Sequence, residues 1–243
     1  MPILPIVHSK ARSPRAECTR MSDFIVLSRF LGGISATDVA AILAQATPRR
    51  FRPESVITRQ GDPANELFLI TKGRARHFVT APDGQKVLLL WLPVGEIFGG
   101  AALLAERSTY RVSTEAVKDT TALVWSRSTI LALAARYPRI RDNALWIASD
   151  YLDWYLAAHI ALSCHTASRR LAGVLVSMAP LLGRSVPGGL EIDVTNEELA
   201  SAAHITSFTA SRLLSEWHRR RAVIKRRGRV VLVAPDQLIR MTA

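Results

Sequence analysis

Residues 195–231 read TNEELASAAHITSFTASRLLSEWHRRRAVIKRRGRVV, and this stretch decides the fold of the chain. Thr195 followed by Glu198 three positions later forms a capping box, which predicts that a short helix begins there. A tight turn around His204 follows, and Thr206 is a candidate N-cap for a second helix. The stretch therefore predicts two helices joined by a turn.

The second predicted helix, which extends to about Arg220, has two different faces. Apolar residues recur at helical spacing and predict one buried stripe, made of Ala210, Leu213, Leu214 and Trp217. The opposite face carries short polar residues, one ring and one arginine: Ser207, Phe208, Ser211, Arg212 and Ser215. Small side chains beside an arginine suit a helix that enters a major groove, where base edges must be hydrogen-bonded.

A basic β-hairpin wing is predicted from Val223 to Val231. From Arg212 to Arg229 the chain has eight Lys or Arg residues and one acidic residue, Glu216. A solvated surface normally mixes both signs, whereas neutralisation of phosphates needs one sign concentrated. An ordinary helical hairpin is the alternative, but the one-sided charge favours a DNA-binding helix-turn-helix with a wing.

The composition indicates a globular protein with a polyanionic partner. The 243 residues carry a formal net charge of +12 at pH 7 and are 49% hydrophobic and 21% charged. No apolar run approaches the roughly 18 residues of a membrane span, and residues 1–7 make a poor signal peptide. The two cysteines, Cys18 and Cys164, have no ligand spacing, so a reducing, cytoplasmic location without membrane partners is expected.

Changes of pattern divide the chain into a mobile tail (1–20), a sensor domain (21–137), a dimerisation helix (138–164) and a winged helix-turn-helix domain (165–243). Met21 is also an alternative start of the protein. In the sensor domain, one or two short helices from Phe24 to Ala46 precede a series of short strands that ends near Trp125. Short strands separated by turn residues at this spacing are typical of an antiparallel β-barrel or roll.

The longest predicted helix, from about Arg139 to Cys164, is apolar nearly all round. A helix that faces one core needs a single apolar stripe. Leu145, Leu152 and His159 are spaced by seven residues, so one face is suited to a short coiled-coil seam. The pattern favours a helix that packs on the roll with one face and on a second subunit with the other. A helix fully buried in its own domain is the alternative.

A β-roll, a long connecting helix and a C-terminal winged helix-turn-helix, in that order, resemble the Crp/Fnr superfamily of bacterial transcription regulators. The likeness covers about residues 22–236, and its most specific parts are GEIFG (95–99), RRLA (169–172) and TASRLL (209–214). The resemblance implies an α+β fold with an N-terminal antiparallel β-roll of the double-stranded β-helix type, similar to a cyclic-nucleotide-binding domain. It also implies a homodimer on a palindromic operator, controlled by an effector in the roll, and RNA polymerase as a partner of any activator.

The resemblance also indicates DNA-binding residues. Ser207, Phe208, Ser211 and Arg212 stand where the family reads bases, and Thr206 stands where it contacts a phosphate. The full expected set is Thr195, Thr206, Ser207, Phe208, Ser211, Arg212, Lys225, Arg226, Arg227 and Arg229. Ser207 and Phe208 replace the common Arg-Glu pair, so a different operator is expected. Phe208 is expected either to meet a thymine methyl group or to tuck against the turn. His204 stands where glycine is usual, and histidine tolerates left-handed backbone better than most residues.

The expected effector pocket consists of Gly99, Gly100, Tyr110 and Arg111. Family members that bind cyclic AMP have Gly-Glu there, followed about ten residues later by Arg-Ser. In this chain the carboxylate is missing, and the arginine is displaced by one residue onto the other face of a strand. The resemblance therefore favours an effector other than cyclic AMP. A bulge near Thr109 that turns Arg111 inward is the alternative, and it would keep cyclic-nucleotide sensing.

The segment from Tyr110 to Trp125 is similar to the branch of the family that answers nitric oxide and nitrogen oxides, some members of which bind haem. Histidine is the only plausible haem ligand in the chain, and the candidates are His8, His77, His159 and His165, with His77 and His159 considered first. Each has a structural explanation as well: His77 alternates along a strand with exposed residues, and His159 lies on the dimer stripe.

Two further alternatives are an enzyme and a regulatory subunit that does not bind DNA, each built on a similar roll. The sequence shows no nucleophile–base pair, P-loop or metal-ligand spacing. Either alternative would also leave the basic winged helix unexplained. The sequence therefore predicts a regulator rather than an enzyme.

Overall fold

The computed structural model describes residues 28–84 and 86–242. The described chain divides into two compact units, residues 28–149 and residues 150–242. The expected mobile tail, the alternative start at Met21 and the candidate ligand His8 lie outside the described residues, as does the beginning of the helical segment expected from Phe24. None of the helices in the described part of the chain is long and apolar enough to cross a membrane.

The first unit is built on eight strands, and every pairing between them is antiparallel. The strands are β1 (Thr47–Phe51), β2 (Val56–Thr58), β3 (Glu66–Lys72), β4 (Ala75–Thr80), β5 (Lys86–Leu92), β6 (Ile97–Phe98), β7 (Ser113–Ala116) and β8 (Thr120–Ser126). They form two four-stranded sheets, in the orders β1-β8-β3-β6 and β2-β7-β4-β5. This arrangement confirms the predicted antiparallel roll.

A helix covers the roll at its beginning. Helix α1 (Ala36–Ala44) starts at Ser35, whose Oγ accepts from the Asp38 amide. Its residue Ile42 is fully buried, and the Ile42 carbonyl accepts from Trp125 Nε1 at 2.9 Å. A buried indole N–H needs such a partner. The hydrogen bond therefore fixes α1 against β8.

The strand expected from Tyr110 to Val117 is shorter than predicted, because β7 covers only Ser113–Ala116. The preceding residues pair with a loop instead: Thr109 bridges Pro63, and the Tyr110 amide donates to the Asp62 carbonyl at 2.9 Å. These hydrogen bonds satisfy the backbone without a ladder, so the chain bends before β7 begins.

Two helices follow the roll: α2 (Arg127–Arg136) and α3 (Arg139–Cys164). Pro138 separates them, and the division between the two compact units falls within α3, after Ser149. The first turns of α3 bury Ile140 and Ile147. The side chain of Asn143 there donates to the carbonyls of Phe30 and Gly32.

The apolar surplus of α3 lies on the surface of the chain. The exposed apolar residues of this helix are Leu145, Trp146, Leu152, Leu156, Ile160 and Leu162. The alternative of a helix fully buried in its own domain is therefore wrong. A chain that exposes so many large apolar groups on one helix needs something to cover them.

Besides the C-terminal part of α3, the second unit combines four helices with four strands. Its further elements are α4 (Ala167–Leu182), β9 (Gly183–Val186), β10 (Gly189–Asp193), α5 (Asn196–Ala203), α6 (Ser207–Arg219), β11 (Val223–Arg226), β12 (Arg229–Leu232) and α7 (Pro235–Thr242). The strands form one antiparallel sheet in the order β11-β12-β10-β9. The predicted helix-turn-helix (α5 and α6) and wing (β11 and β12) are confirmed. Neither β9 nor α7 was predicted from the sequence.

Candidate DNA interface and effector pocket

Helix α5 and the turn between α5 and α6 are built as the sequence predicted. Thr195 Oγ1 accepts from the Glu198 amide at 3.1 Å, and Glu198 Oε2 accepts from the Thr195 amide at 2.8 Å. His204 ends α5 in the left-handed region, at φ 51° and ψ 55°. The capping box therefore begins α5, and His204 makes the turn that follows it, as the sequence predicted.

Arg170 on α4 holds this turn from outside it. Its Nε donates to the Ala203 carbonyl at 2.8 Å, and its Nη2 donates to the His204 carbonyl at 3.1 Å. Carbonyls at a helix end have no partner within the helix. The guanidinium satisfies them and ties α4 to the start of the recognition segment. Arg170 belongs to the RRLA motif, but the motif alone does not predict this role.

Helix α6 has the two faces that its sequence predicted. The apolar stripe is buried, and it consists of Ala210, Leu213, Leu214 and Trp217. Thr206 caps the helix, because its Oγ1 accepts from the Thr209 amide at 3.1 Å. The outer face leaves Arg212 exposed, and this guanidinium forms no hydrogen bond or ion pair within the described residues.

Three other side chains of the outer face differ in what they contact. Ser211 Oγ accepts from Lys225 Nζ at 3.0 Å, and Ser215 Oγ donates to the Ser211 carbonyl at 2.8 Å. Phe208 is 78% exposed, so its ring does not tuck against the turn. Among the five residues of this outer face, the groups left available to a ligand are therefore the phenyl ring of Phe208 and the guanidinium of Arg212, with the exposed hydroxyl of Ser207 beside them.

The wing is a tight hairpin with basic residues at its tip. Arg226 and Arg229 pair across β11 and β12, and the turn between them is Arg227–Gly228. Gly228 adopts a φ of 67°, which a residue with a side chain rarely accepts. Arg227 is exposed. The arrangement concentrates three arginines within four residues, as phosphate contacts require.

A buried carboxylate orders the arginines of the wing. Glu191 on β10 is only 2% exposed, because arginine side chains cover it: Arg184 at 2.6 Å, Arg226 at 3.1 Å and Arg229 at 3.5 Å. The hydrogen bond from Arg184 is the main reason that the pKa of Glu191 lies below its usual value, and the other two arginines add to it. Glu191 was not predicted from the sequence, where its alternation with apolar residues in β10 is the only local signal.

Two of the expected effector-pocket residues, Gly99 and Tyr110, pack against β3. Tyr110 is buried, and its hydroxyl donates to the Glu66 carbonyl at 3.1 Å and lies 3.2 Å from the Glu66 amide. Burial raises the pKa of this phenol. Gly99 has a φ of 79°, and a Cβ there would lie 2.6 Å from the Glu66 carbonyl oxygen. Tyr110 and Gly99 therefore fit together against β3.

The other two expected pocket residues are exposed. Gly100 has open space where a side chain would begin, and it offers no carboxylate. Arg111 lies in the bend before β7, not in a strand as expected, and its guanidinium lies 3.4 Å from Ser108 Oγ. Thr109 pairs with Pro63 through an isolated bridge, and Arg111 two residues later is exposed, so it is not turned inward by a bulge.

Known proteins share both parts of this architecture. The family named Cyclic nucleotide-binding domain matches residues 48–137, and the family named Crp-like helix-turn-helix domain matches residues 156–241. The Cyclic AMP receptor protein of Thermus thermophilus is 32% identical over 184 residues, which cover 75% of this chain and 82% of that protein. This chain belongs to the Crp/Fnr family of DNA-binding transcription regulators.

More distant members of the Crp/Fnr family match over a greater length. The CRP-like cAMP-activated global transcriptional regulator of Mycobacterium tuberculosis is 22% identical over 219 residues, 89% of this chain and 97% of that protein. The solved structure of FixK2 from Bradyrhizobium japonicum has a TM-score of 0.72 and 22% identity over 82% of this chain and 98% of that one. This structural likeness shows that the fold is shared.

Neither histidine that was considered first as a haem ligand fits that role. His77, on β4, is 6% exposed; its Nδ1 lies 3.0 Å from Thr114 Oγ1, and its ring meets Phe98 edge-on. It is thus a hydrogen-bonded core residue, and its strand neighbours Arg76 and Phe78 are not exposed, although exposed neighbours were expected. His159 is exposed on α3. Within one chain, this exposed helix position supplies no apolar wall that would enclose a haem.

His77 is expected to make the stability of the protein depend on pH. Burial lowers its pKa from 6.5 to about 4. A hydrogen bond with the Ser113 backbone raises the pKa, but its effect is smaller than that of burial. The unfolded chain therefore takes up a proton below pH 6.5 that the folded chain refuses, and stability is lost as the pH falls towards 4. Between pH 7 and pH 5 the loss should be about 2 kcal/mol.

Urea unfolding at the two pH values measures this loss. The comparison is with His77→Gln, which cannot take up the proton. The variant should lose correspondingly less stability than the wild type between pH 7 and pH 5. An identical loss in both proteins would show that His77 is not the group responsible.

Proposed function

We propose that the protein is a homodimeric, sequence-specific transcription regulator that acts in the cytoplasm on a palindromic operator, under the control of an effector other than cyclic AMP. The observation that carries this proposal is the exposed, uncommitted guanidinium of Arg212 on a helix that the rest of its unit holds in place. Arginine on guanine O6 and N7 is the commonest specific contact in a major groove. RNA polymerase is the further partner if the protein activates transcription.

The DNA-binding surface divides into two groups of residues by chemistry. The base-facing group lies on α6 and consists of Ser207, Phe208, Ser211 and Arg212. The backbone-facing group supplies hydroxyls at helix starts and cations of the wing: Thr195, Thr206, Lys225, Arg226, Arg227 and Arg229. Helix starts attract phosphates because their amides are unpaired and their dipoles are positive. Phosphate contacts fix the register, while base contacts specify the sequence.

The dimer is proposed to form through α3, with residues 138–164 as the dimerisation segment between the sensor (21–137) and the DNA-binding domain (165–243). Leu152 is 58% exposed, and Leu145 and Leu156 lie on the same side of the helix. A second copy of the same helix is the occupant that would cover this stripe symmetrically. Two recognition helices related by a two-fold axis would read the two halves of a palindrome.

Cyclic AMP is proposed not to be the effector, although several relatives are named for it. A cyclic nucleotide needs an acceptor for its ribose hydroxyl and a cation for its phosphate. In this chain Gly100 supplies no acceptor side chain, Tyr110 replaces the cation with a phenol tied to β3, and Arg111 is exposed outside the sheet. The sensor therefore answers a chemically different signal.

Substitution of Arg212 and of Arg226 tests the assignment of base and backbone contacts. Arg212→Ala is expected to lose about 1–3 kcal/mol on the cognate operator and to relax specificity at one base pair, because the guanidinium reads a base. Arg226→Ala is expected to weaken binding to all sequences and to reduce the slope of log affinity against log salt by about 0.9, because it contacts a phosphate.

Fluorescence anisotropy with cognate and random duplexes over a range of salt concentrations measures both effects. Arg107→Ala, at an exposed arginine of the sensor unit, is the matched control and should bind as the wild type does. Equal losses on cognate and random duplexes for Arg212→Ala would reject its base-reading role.

A further inference from the structure

The most exposed large apolar side chain in the described part of the protein is Phe208, at 78%. The other large apolar groups of comparable exposure lie on α3, where a second copy of the chain would cover them. Phe208 lies elsewhere, in the first turn of α6, and the described residues make no ring or cation contact with it. A ring that is exposed on a recognition helix is positioned to contact the ligand of that helix.

We propose that Phe208 reads the C5-methyl group of a thymine in the operator. This proposal rests on the proposed function, since it requires α6 to enter a major groove. In that groove the bases stay stacked and present only their edges. A phenyl ring has no hydrogen-bond donor or acceptor, and the thymine methyl is the apolar group that those edges offer. The ring and the methyl group bury each other.

The helix geometry fixes where that thymine lies. Phe208 and Arg212 are four residues apart and share one face of α6. One helical turn rises about 5.4 Å, and successive base pairs of DNA are about 3.4 Å apart. The thymine read by Phe208 therefore lies within about two base pairs of the guanine read by Arg212. Ser211, which accepts from Lys225, lies beside both residues and keeps the wing close to the same bases.

The test uses an operator selected from random DNA by the full-length protein. Deoxyuridine then replaces each thymine in turn, which removes one methyl group and nothing else. At one position in each half-site, this replacement should lower the affinity of the wild type about fourfold, which is the effect of one buried methyl group. Replacement in both half-sites should lower it about 15-fold. A cytosine there should bind more weakly than thymine, and 5-methylation of that cytosine should recover about fourfold.

Two variants connect the methyl effect to Phe208. Phe208→Ser should bind the thymine and deoxyuridine operators equally, and Arg212→Lys should keep the difference between them. Because the ring is exposed, Phe208→Ser should unfold at the same temperature as the wild type. The DNA substitutions test the thymine contact independently, because they use the wild-type protein. If no sequence is enriched by selection, the proposed function itself fails. If an operator is enriched but deoxyuridine binds as well as thymine at every position, or Phe208→Ser keeps the deoxyuridine loss, this inference is overturned.

Discussion

Leu152→Glu should convert the protein from a dimer to a monomer and lower its affinity for a palindromic operator by about a hundredfold or more. At the proposed seam each new carboxylate would face its symmetry mate, so desolvation of both charges adds to their repulsion. A monomer keeps its contacts with one half-site but loses the linkage that makes the second contact intramolecular. Light scattering measures the mass, and anisotropy measures the affinity.

The matched control for this variant is Leu104→Glu. Leu104 is a leucine of the sensor unit that is also exposed, at 49%, and it lies outside α3, so the control introduces the same charge in a different element. This control should remain a dimer with unchanged operator affinity. A Leu152→Glu protein that keeps the mass of a dimer would place the interface outside this face of α3.

Cyclic AMP should show no binding below millimolar concentrations and should not raise operator affinity. Loss of the ribose acceptor and the phosphate cation removes two charge-assisted contacts, each worth about 1.5–3 kcal/mol. The total of about 3–6 kcal/mol spans the roughly 4 kcal/mol that separates a micromolar site from a millimolar one, and burial of a phosphate without a cation adds a desolvation cost. The ring of Tyr110, fixed to Glu66, also fills space next to Gly99.

Isothermal titration with cyclic AMP and cyclic GMP measures this directly. Arg111→Ala is the companion variant, because Arg111 is the cation nearest in sequence to the expected phosphate position. A dissociation constant in the low micromolar range that Arg111→Ala abolishes would show that Arg111 turns inward when a nucleotide is present, and the cyclic-nucleotide alternative would then hold.

The features that the sequence predicted depend on short separations. The capping box joins Thr195 to Glu198, and the left-handed turn needs only a residue that tolerates it at His204. The wing follows from two short apolar runs that flank a block of basic residues around Gly228. Hydrogen bonds within one or two turns of the chain decide each of these. Such signals are visible in a sequence because the partners are neighbours.

The features that the sequence could not predict join distant residues. Glu191 is 35 and 38 residues from Arg226 and Arg229, and Tyr110 is 44 residues from its partner Glu66. These contacts depend on which strand lies beside which and in what register, and tertiary packing sets that register. A local pattern shows that Glu191 belongs to a strand, but it does not show which arginines cover it. The shortening of β7 has the same origin, since Thr109 and Tyr110 pair with the loop around Pro63.

Binding to a selected palindrome, compared with the same palindrome carrying one scrambled half-site, tests the central claim most directly. A random duplex is the third DNA, and fluorescence anisotropy at one fixed salt concentration measures the affinity for each of the three. We predict that two protomers bind each palindrome, with an affinity at least about a thousandfold above that for random DNA. Scrambling one half-site should remove most of this difference in affinity. Equal affinities for all three duplexes would contradict it.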